Sequence, residues 1–228
     1  MKSWLTLFIL LLSTIDGYTQ QENPFMNDAN GKPLYWGSTY VAEGSPYLHK
    51  DYNWADITVL SGKVYKDVRV KYNMVEHQLQ YLLDDGTEMI STTPVKTISF
   101  TALPGDQAVP TKALFESETG VINSPDAVIY QVLDSGNISL LKRIIITYRD
   151  DKRYGEAVTT RHFTRQELNY VKDQKGQYKK LEKSRSFITE LCKEKMKEIN
   201  AYIDANKLSC KNISDIQQII HYYNSLFH

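Results

Sequence analysis

Val64-Tyr65-Lys66-Asp67-Val68-Arg69-Val70-Lys71-Tyr72 is the stretch whose reading decides the fold class of this chain. Val64, Val68, Val70 and Tyr72 alternate with Tyr65, Asp67, Arg69 and Lys71, the period of two expected of a strand with one wet face. Just upstream lies Ile57-Thr58-Val59-Leu60, and the intervening Ser61-Gly62 suits a tight hairpin turn. Working outward, similar runs follow at 77–83, 88–91, 95–100, 128–133, 138–148, 158–163 and 168–172. Turn signals separate them at Asp84-Asp85-Gly86, Pro104-Gly105, Ser124-Pro125, Asp134-Ser135-Gly136-Asn137 and Lys175-Gly176. Such close spacing leaves no room for crossover helices, so the pairing is expected to be antiparallel and mostly sequential.

Beyond Ser184 the period changes. Ile188, Leu191, Cys192, Met196, Ile199, Tyr202 and Ile203 fall on one helical stripe, with Lys193, Glu194, Lys197 and Glu198 facing water. Ser214 with Gln217 reads as a capping box, after which Ile216, Ile219, Ile220, Tyr223 and Phe227 repeat the apolar spacing. Two helices joined by 207–213 would form an antiparallel pair whose shared stripe needs the sheet to cover it. The expected class is therefore α+β: a mostly antiparallel β-meander sheet, rolled or sandwiched, with a C-terminal α-helical hairpin packed against it. The chain divides into a signal peptide (1–19), an irregular aromatic-rich segment (20–53), an antiparallel β body (54–183) and the helical hairpin (184–228).

The leader is read from Met1-Lys2 followed by the apolar run Trp4–Leu12, which ends at Ser13 and meets Asp16. A membrane span needs about 20 apolar residues, so cleavage is expected over anchoring, near Gly17 or Thr19. No cysteine near the cleavage region offers a site for acylation. The expected location is periplasmic or secreted, with no transmembrane segment after signal cleavage. In that setting Cys192 and Cys210 could oxidise. A helix running unbroken to Asn206, however, would carry Cys192 about 21 Å back, and the four residues to Cys210 return at most about 14 Å. A bridge is therefore not expected, and Cys192, on the apolar helix face, is read as a small buried hydrophobe.

Composition excludes several classes. Of 228 residues 42% are hydrophobic and 24% charged, which is incompatible with disorder or a multi-span membrane protein. Lysine and arginine number 27 against 27 acids, so the basic excess of a nucleic-acid binder is missing. The basic run Lys172, Lys175, Lys179, Lys180, Lys183 and Arg185 reads as a solvated hairpin edge that discourages sheet-to-sheet aggregation. His49, His77, His162, His221 and His228 show no metal-ligand spacing, and no nucleophile elbow, phosphate loop or dinucleotide fingerprint is present, so no cofactor or metal is expected. Asp84-Asp85 and Asp150-Asp151 are read as turn formers, and His221 as solvated.

The least ordinary feature is aromatic. Tyr35, Trp36, Tyr40, Tyr47, Tyr52 and Trp54 crowd into a breaker-rich segment where a strand core is not expected. Such rings can stack on sugars or partner side chains, offering large rigid area at low entropy cost, or they can close one edge of the sheet. These six are the candidate binding residues.

The order of features resembles a group of small exported proteins of unknown function from Bacteroidetes-type bacteria. Gly44-Ser-Pro-Tyr-Leu48, Val70-Lys-Tyr-Asn73, Val95-Lys96-x-Ile98-x-Phe100, Tyr130-x-Val-Leu133-x-x-Gly136-x-x-x-Leu140-Leu141 and Tyr222-Tyr223-Asn224-x-Leu226 carry the resemblance. It implies a signal peptide, a β-rich body and C-terminal helices, and it supplies no site residues. Three functions are in competition: a non-catalytic envelope protein binding a protein partner or envelope component, a secreted hydrolase with a fold-assembled site using residues such as His77 and His162, and a carrier of an apolar ligand.

Overall fold

The computed structural model describes residues 31–33, 40–103, 111–152 and 158–227. The leader, its cleavage region, Tyr35 and Trp36 lie outside the described residues. Among the described residues, twelve strands form one mixed sheet that does not close on itself. They are β1 (Gly31–Pro33), β2 (Tyr40–Glu43), β3 (Asn53–Val59), β4 (Val64–Asn73), β5 (Gln78–Leu82) and β6 (Glu88–Ser91), followed by β7 (Val95–Leu103), β8 (Thr111–Ser117), β9 (Ile129–Asp134), β10 (Ser139–Asp151), β11 (Thr159–Lys172) and β12 (Tyr178–Lys180). The order across the sheet is β1-β6-β5-β4-β3-β7-β8-β9-β10-β11-β12. Most neighbours are sequential and antiparallel. The exception in direction is β2, which pairs parallel with the start of β11, placing Tyr40 opposite Thr159 and Glu43 opposite His162.

Several sequence expectations need correction. The alternation in 64–72 does not run straight through: Tyr65 is buried and Val64 is exposed, the reverse of the simple reading. Register shifts here, because Ala55 faces Val68 while Ile57 faces Tyr65, so Lys66 and Asp67 together oppose Asp56. Asp67 takes a left-handed φ of 54° and donates its N–H to Asp56 Oδ1 at 3.1 Å, which holds the bulge. The runs at 158–163 and 168–172 are a single strand, β11, and β8 and β12 are additional strands. Asp150 and Asp151 lie in strand β10, not in a turn.

Two buried cores share one face of the sheet. The first gathers Ala55, Ile57, Val68, Val70, Tyr72, Leu79 and Tyr81 with Ile98, Phe100, Phe115, Ile129, Ile144 and Ile146. The second gathers Leu140 and Val171 with the C-terminal helices. On the opposite face Leu141 is fully buried, where Tyr130 meets Tyr170 edge-on at 5.5 Å and stacks on Tyr178 at 5.1 Å.

The C-terminal helices are three: α1 (Arg185–Leu191), α2 (Met196–Ala205) and α3 (Ile213–Ser225), with a single 3-10 turn at Lys193–Lys195. The first expected helix is therefore broken at Cys192, which caps α1. That break removes the straight-rod premise behind the separation of the cysteines. Both are free thiols buried in the second core. α1 begins at Ser184, whose hydroxyl accepts from Phe187 N. α3 is capped by Asn212, not Ser214: Asn212 Oδ1 accepts from Asp215 N at 2.8 Å, and Asp215 Oδ2 accepts from Ser209 N at 2.6 Å. Among the described residues, no helix is long and apolar enough to cross a membrane.

Candidate binding site

Residues 40–54 form a strap. It leaves β11 at β2, turns at Gly44 and reaches the end of β4, where Leu48 N donates to Tyr72 O and Met74 N donates to Pro46 O. It then enters the sheet as β3. Gly44 is required at the turn: its φ is +84°, and a Cβ there would sit 2.9 Å from Phe163 O. Leu48 fills the first core, and its carbonyl accepts from Arg165 Nη1 of β11 at 3.0 Å. The strap thus ties the β11 region to β4.

Each described aromatic of the candidate set lies against a cation from a neighbouring strand. Arg161 sits 4.2 Å from the Tyr40 ring centre and 4.0 Å from that of Tyr148, between the two rings. Its guanidinium is fixed by Asp150, directly opposite in register, through bonds of 2.6 and 2.7 Å. That fork holds the Asp150 carboxyl below the ordinary aspartate range. Arg69 lies 5.6 Å from the ring of Trp54, which is 51% exposed. Lys71 Nζ stands 3.8 Å over Tyr47 and 5.3 Å from Tyr52.

The Lys71 cluster is the densest of these. Lys71, Gln80 and Ile90 stand opposite one another across β4, β5 and β6, with Glu88 on the same face two residues from Ile90. Desolvation lowers the Lys71 ammonium pKa, partly offset by the carboxylates of Glu88 and Asp51. Burial raises the Tyr47 hydroxyl, partly offset by the Gln80 amide, and burial together with Glu88 raises that of Tyr52. Gln80 is 1% exposed, and its Oε1 and the Tyr52 hydroxyl are buried with no partner at hydrogen-bond distance. Buried polar atoms are nearly always paired, so these two make the Lys71 cluster an unusual polar site.

Tyr40 is therefore set apart from the other three, while Trp54 with Arg69 stands two residues along the same strand pair from Tyr52 and Lys71. Tyr47 and Tyr52 meet at Lys71, Tyr40 belongs to the Arg161 cluster, and Trp54 stands with Arg69. Sequence reading missed the cations, Gln80 and Glu88, whose positions follow from strand register and leave no local signature.

The histidines assemble nothing comparable. His77 Nδ1 lies 3.3 Å from the Tyr72 hydroxyl, which itself donates to Ile122 O, and burial lowers the His77 pKa. His162 Nδ1 lies 2.9 Å from Glu43 Oε2. Their contacts do not overlap. His221, largely exposed, reaches Asp134 Oδ2 at 2.9 Å. No cluster of three or more His, Cys, Asp or Glu able to hold a metal occurs among the described residues. A cavity of about 150 Å³ lies between His77, Arg143, Met74 and Ile144–Ile146, smaller than the roughly 300 Å³ that ligand pockets occupy. A larger one, about 450 Å³, lies beside the helices, and its walls mix Lys175, Lys179, Glu190 and Glu194 with Phe187, Leu191 and Tyr223.

Comparison with protein-family models, curated proteins and solved structures finds no match to this chain.

Proposed function

We propose that this chain is an exported, non-catalytic cell-envelope protein that binds a protein partner or an envelope component at the Tyr47–Tyr52–Lys71 cluster. The observation that carries the reading is the Lys71 ammonium held 3.8 Å over the Tyr47 ring and 5.3 Å from that of Tyr52, in the strap that ties β11 to β4. Half-buried rings beside an ammonium offer stacking and charge to a glycan or a peptide segment. Export rests on the basic start and apolar run of residues 1–12, and places the mature protein in the periplasm or outside the cell. The sheet is read as a roll, since Ile144 and Ile146 of β10 share a core with β3, β4 and β5.

Crosslinking in intact envelopes followed by affinity recovery tests the binding role. The native chain should recover a reproducible protein or glycan, and Lys71→Met together with Tyr52→Phe should abolish that recovery with the circular dichroism spectrum unchanged. Equal recovery by the variant, or none by the native chain, overturns the reading. Fractionation tests export: the intact precursor accumulating in the cytosol rejects it.

A further inference from the structure

His49 sits in the strap between the two ends that hold it, and its ring packs into the first core. The imidazole stands edge-on to Phe100 of β7 at 5.3 Å and to Phe115 of β8 at 6.4 Å, while the two phenylalanines meet at 5.7 Å. Its Nε2 is buried with no hydrogen-bond partner. A neutral ring tolerates that environment with one unused lone pair. A protonated ring does not, because Nε2 would then carry a buried donor with no acceptor.

The groups around it sharpen the asymmetry. β7 and β8 present Phe100 and Phe115 at this contact. β11 presents Arg165, whose guanidinium binds Leu48 O, next to His49 in the chain, and is held by Glu167 at 3.0 Å. β10 contributes Lys142, which pairs with Glu167 at 3.4 Å and so draws on the same carboxylate. The strap's own neighbours, Lys50 and Asp51, are exposed. The charge acting directly on the ring is Arg165, and it is of the same sign as an imidazolium.

We infer that His49 is an acid-operated latch: protonation of its buried ring expels residues 44–52 from the first core and dismantles the Tyr47–Tyr52–Lys71 cluster that the strap completes. The inference rests on the proposed binding role of that cluster and adds its regulation. The other end of the strap is not released by the same event. β2 stays on β11 through its parallel pairing, and the contact between Glu43 and His162 becomes an ion pair only when that imidazole is protonated. The strap should therefore swing from Gly44 and not detach.

The direction follows from linkage. Burial, then Arg165, pushes the His49 pKa from 6.5 down to about 4. Between those values the opened strap binds a proton that the docked strap excludes, so acid favours opening. Each pH unit in that window multiplies the opening equilibrium by up to about tenfold.

Amide hydrogen exchange on the mature chain, corrected for the intrinsic pH dependence of exchange, tests this without any ligand. The amides of Leu48 and Met74, which bond Tyr72 O and Pro46 O, should lose protection progressively from pH 6.5 to 4, while that of Ile188 in α1 stays protected. His49→Phe keeps a ring against Phe100 and Phe115 without a titrating group and should hold Leu48 protection constant over the same range. Unchanged protection in the native chain, or the same loss in His49→Phe, overturns the latch. Should the variant fail to fold, the native ring decides: a His49 proton resonance titrating near pH 4 supports the latch, and one titrating at 6.5 or above rejects it. A latch rejected in this way leaves envelope binding standing, since recovery from crosslinked envelopes is a separate measurement.

Discussion

Asn224 and Gly136 are built for each other: a Cβ on Gly136 would lie 2.5 Å from Asn224 Cγ. With that space left open, the α3 side chain enters the β9–β10 turn and reads it on three sides. Asn224 Oδ1 accepts from Ile138 N at 3.0 Å, and Nδ2 donates to Ile138 O at 2.8 Å and to Asp134 Oδ1 at 2.9 Å. Gln217 and His221 extend the seam to Leu133 O and Asp134 Oδ2. Asn224 is 4% exposed, so removing it leaves buried backbone groups unpaired at about 1–3 kcal/mol each. Asn224→Ala should therefore lower unfolding free energy by about 2–4 kcal/mol in urea titration. Gly136→Ala should cost a similar amount by pushing α3 away from the sheet. A loss under about 0.5 kcal/mol for either, the level of an ordinary surface change, would show that the seam is not a structural anchor.

The strap should depend on Gly44 in the same local way. Alanine there meets both a φ of +84° and Phe163 O at 2.9 Å, so strain and displacement add. The expected cost of Gly44→Ala is about 1–3 kcal/mol. Limited proteolysis should show cleavage appearing first within 44–52. Cutting that begins in the helices instead would mean the strap is not seated through this turn.

How much of this was legible in the sequence depends on whether the signal is periodic or positional. Strands β3 to β7, β9 and β10 follow directly from apolar alternation between turn residues. β8 is harder to see, because Ala113, Phe115 and Ser117 make a weakly apolar inward face. The join within β11 was hidden because Arg165 and Glu167 face the gap between the two cores and carry charge where a strand reader expects hydrophobes. The exchange of Val64 for Tyr65 depends on a bulge at Asp67, a non-glycine residue at positive φ with no sequence signature. For the site, the aromatics announced themselves and their cations did not. Lys71 stands opposite Gln80 and Arg161 opposite Asp150 only once register is fixed, and register is a tertiary property.

Stability should fall in two separable acid windows. A folded pKa below the unfolded one, as for His49, means the group favours the fold when neutral, so its contribution is complete above pH 6.5 and lost as pH drops toward 4. A shift of that size corresponds to about 3 kcal/mol at most, and to about half that once solvent screening of a partly exposed ring is counted. His77, lowered by burial, acts in the same direction. Asp150, Glu167 and Asp204 are held below their ordinary values and contribute only above those values, so their loss begins near pH 4 and continues below it. Urea midpoints measured from pH 8 to 3 should show both steps, and His49→Phe should shrink the upper one alone, leaving the part due to His77. An unchanged upper step would assign it to other groups.

Cys192 and Cys210 should behave as core residues and not as reagents. Burial, then the neighbouring Cys210 sulfur, pushes the Cys192 thiol up to about 12, and burial raises that of Cys210. Reaction requires the thiolate, so a thiol held there is almost entirely protonated at pH 8. A disulfide-exchange reagent should find both thiols in denaturant and neither on the timescale of minutes in the native chain. Burst labelling under native conditions would mean the helices open locally. Substitution separates packing from polarity at the same site: Cys192 is fully buried at the end of α1, where alanine removes one sulfur and leaves a small cavity. Serine fills more of that space but brings a hydroxyl into an apolar cluster of Ile188, Ile199 and Ile216. Cys192→Ser should therefore destabilise more than Cys192→Ala, and the opposite order would show that water or a backbone carbonyl reaches the position.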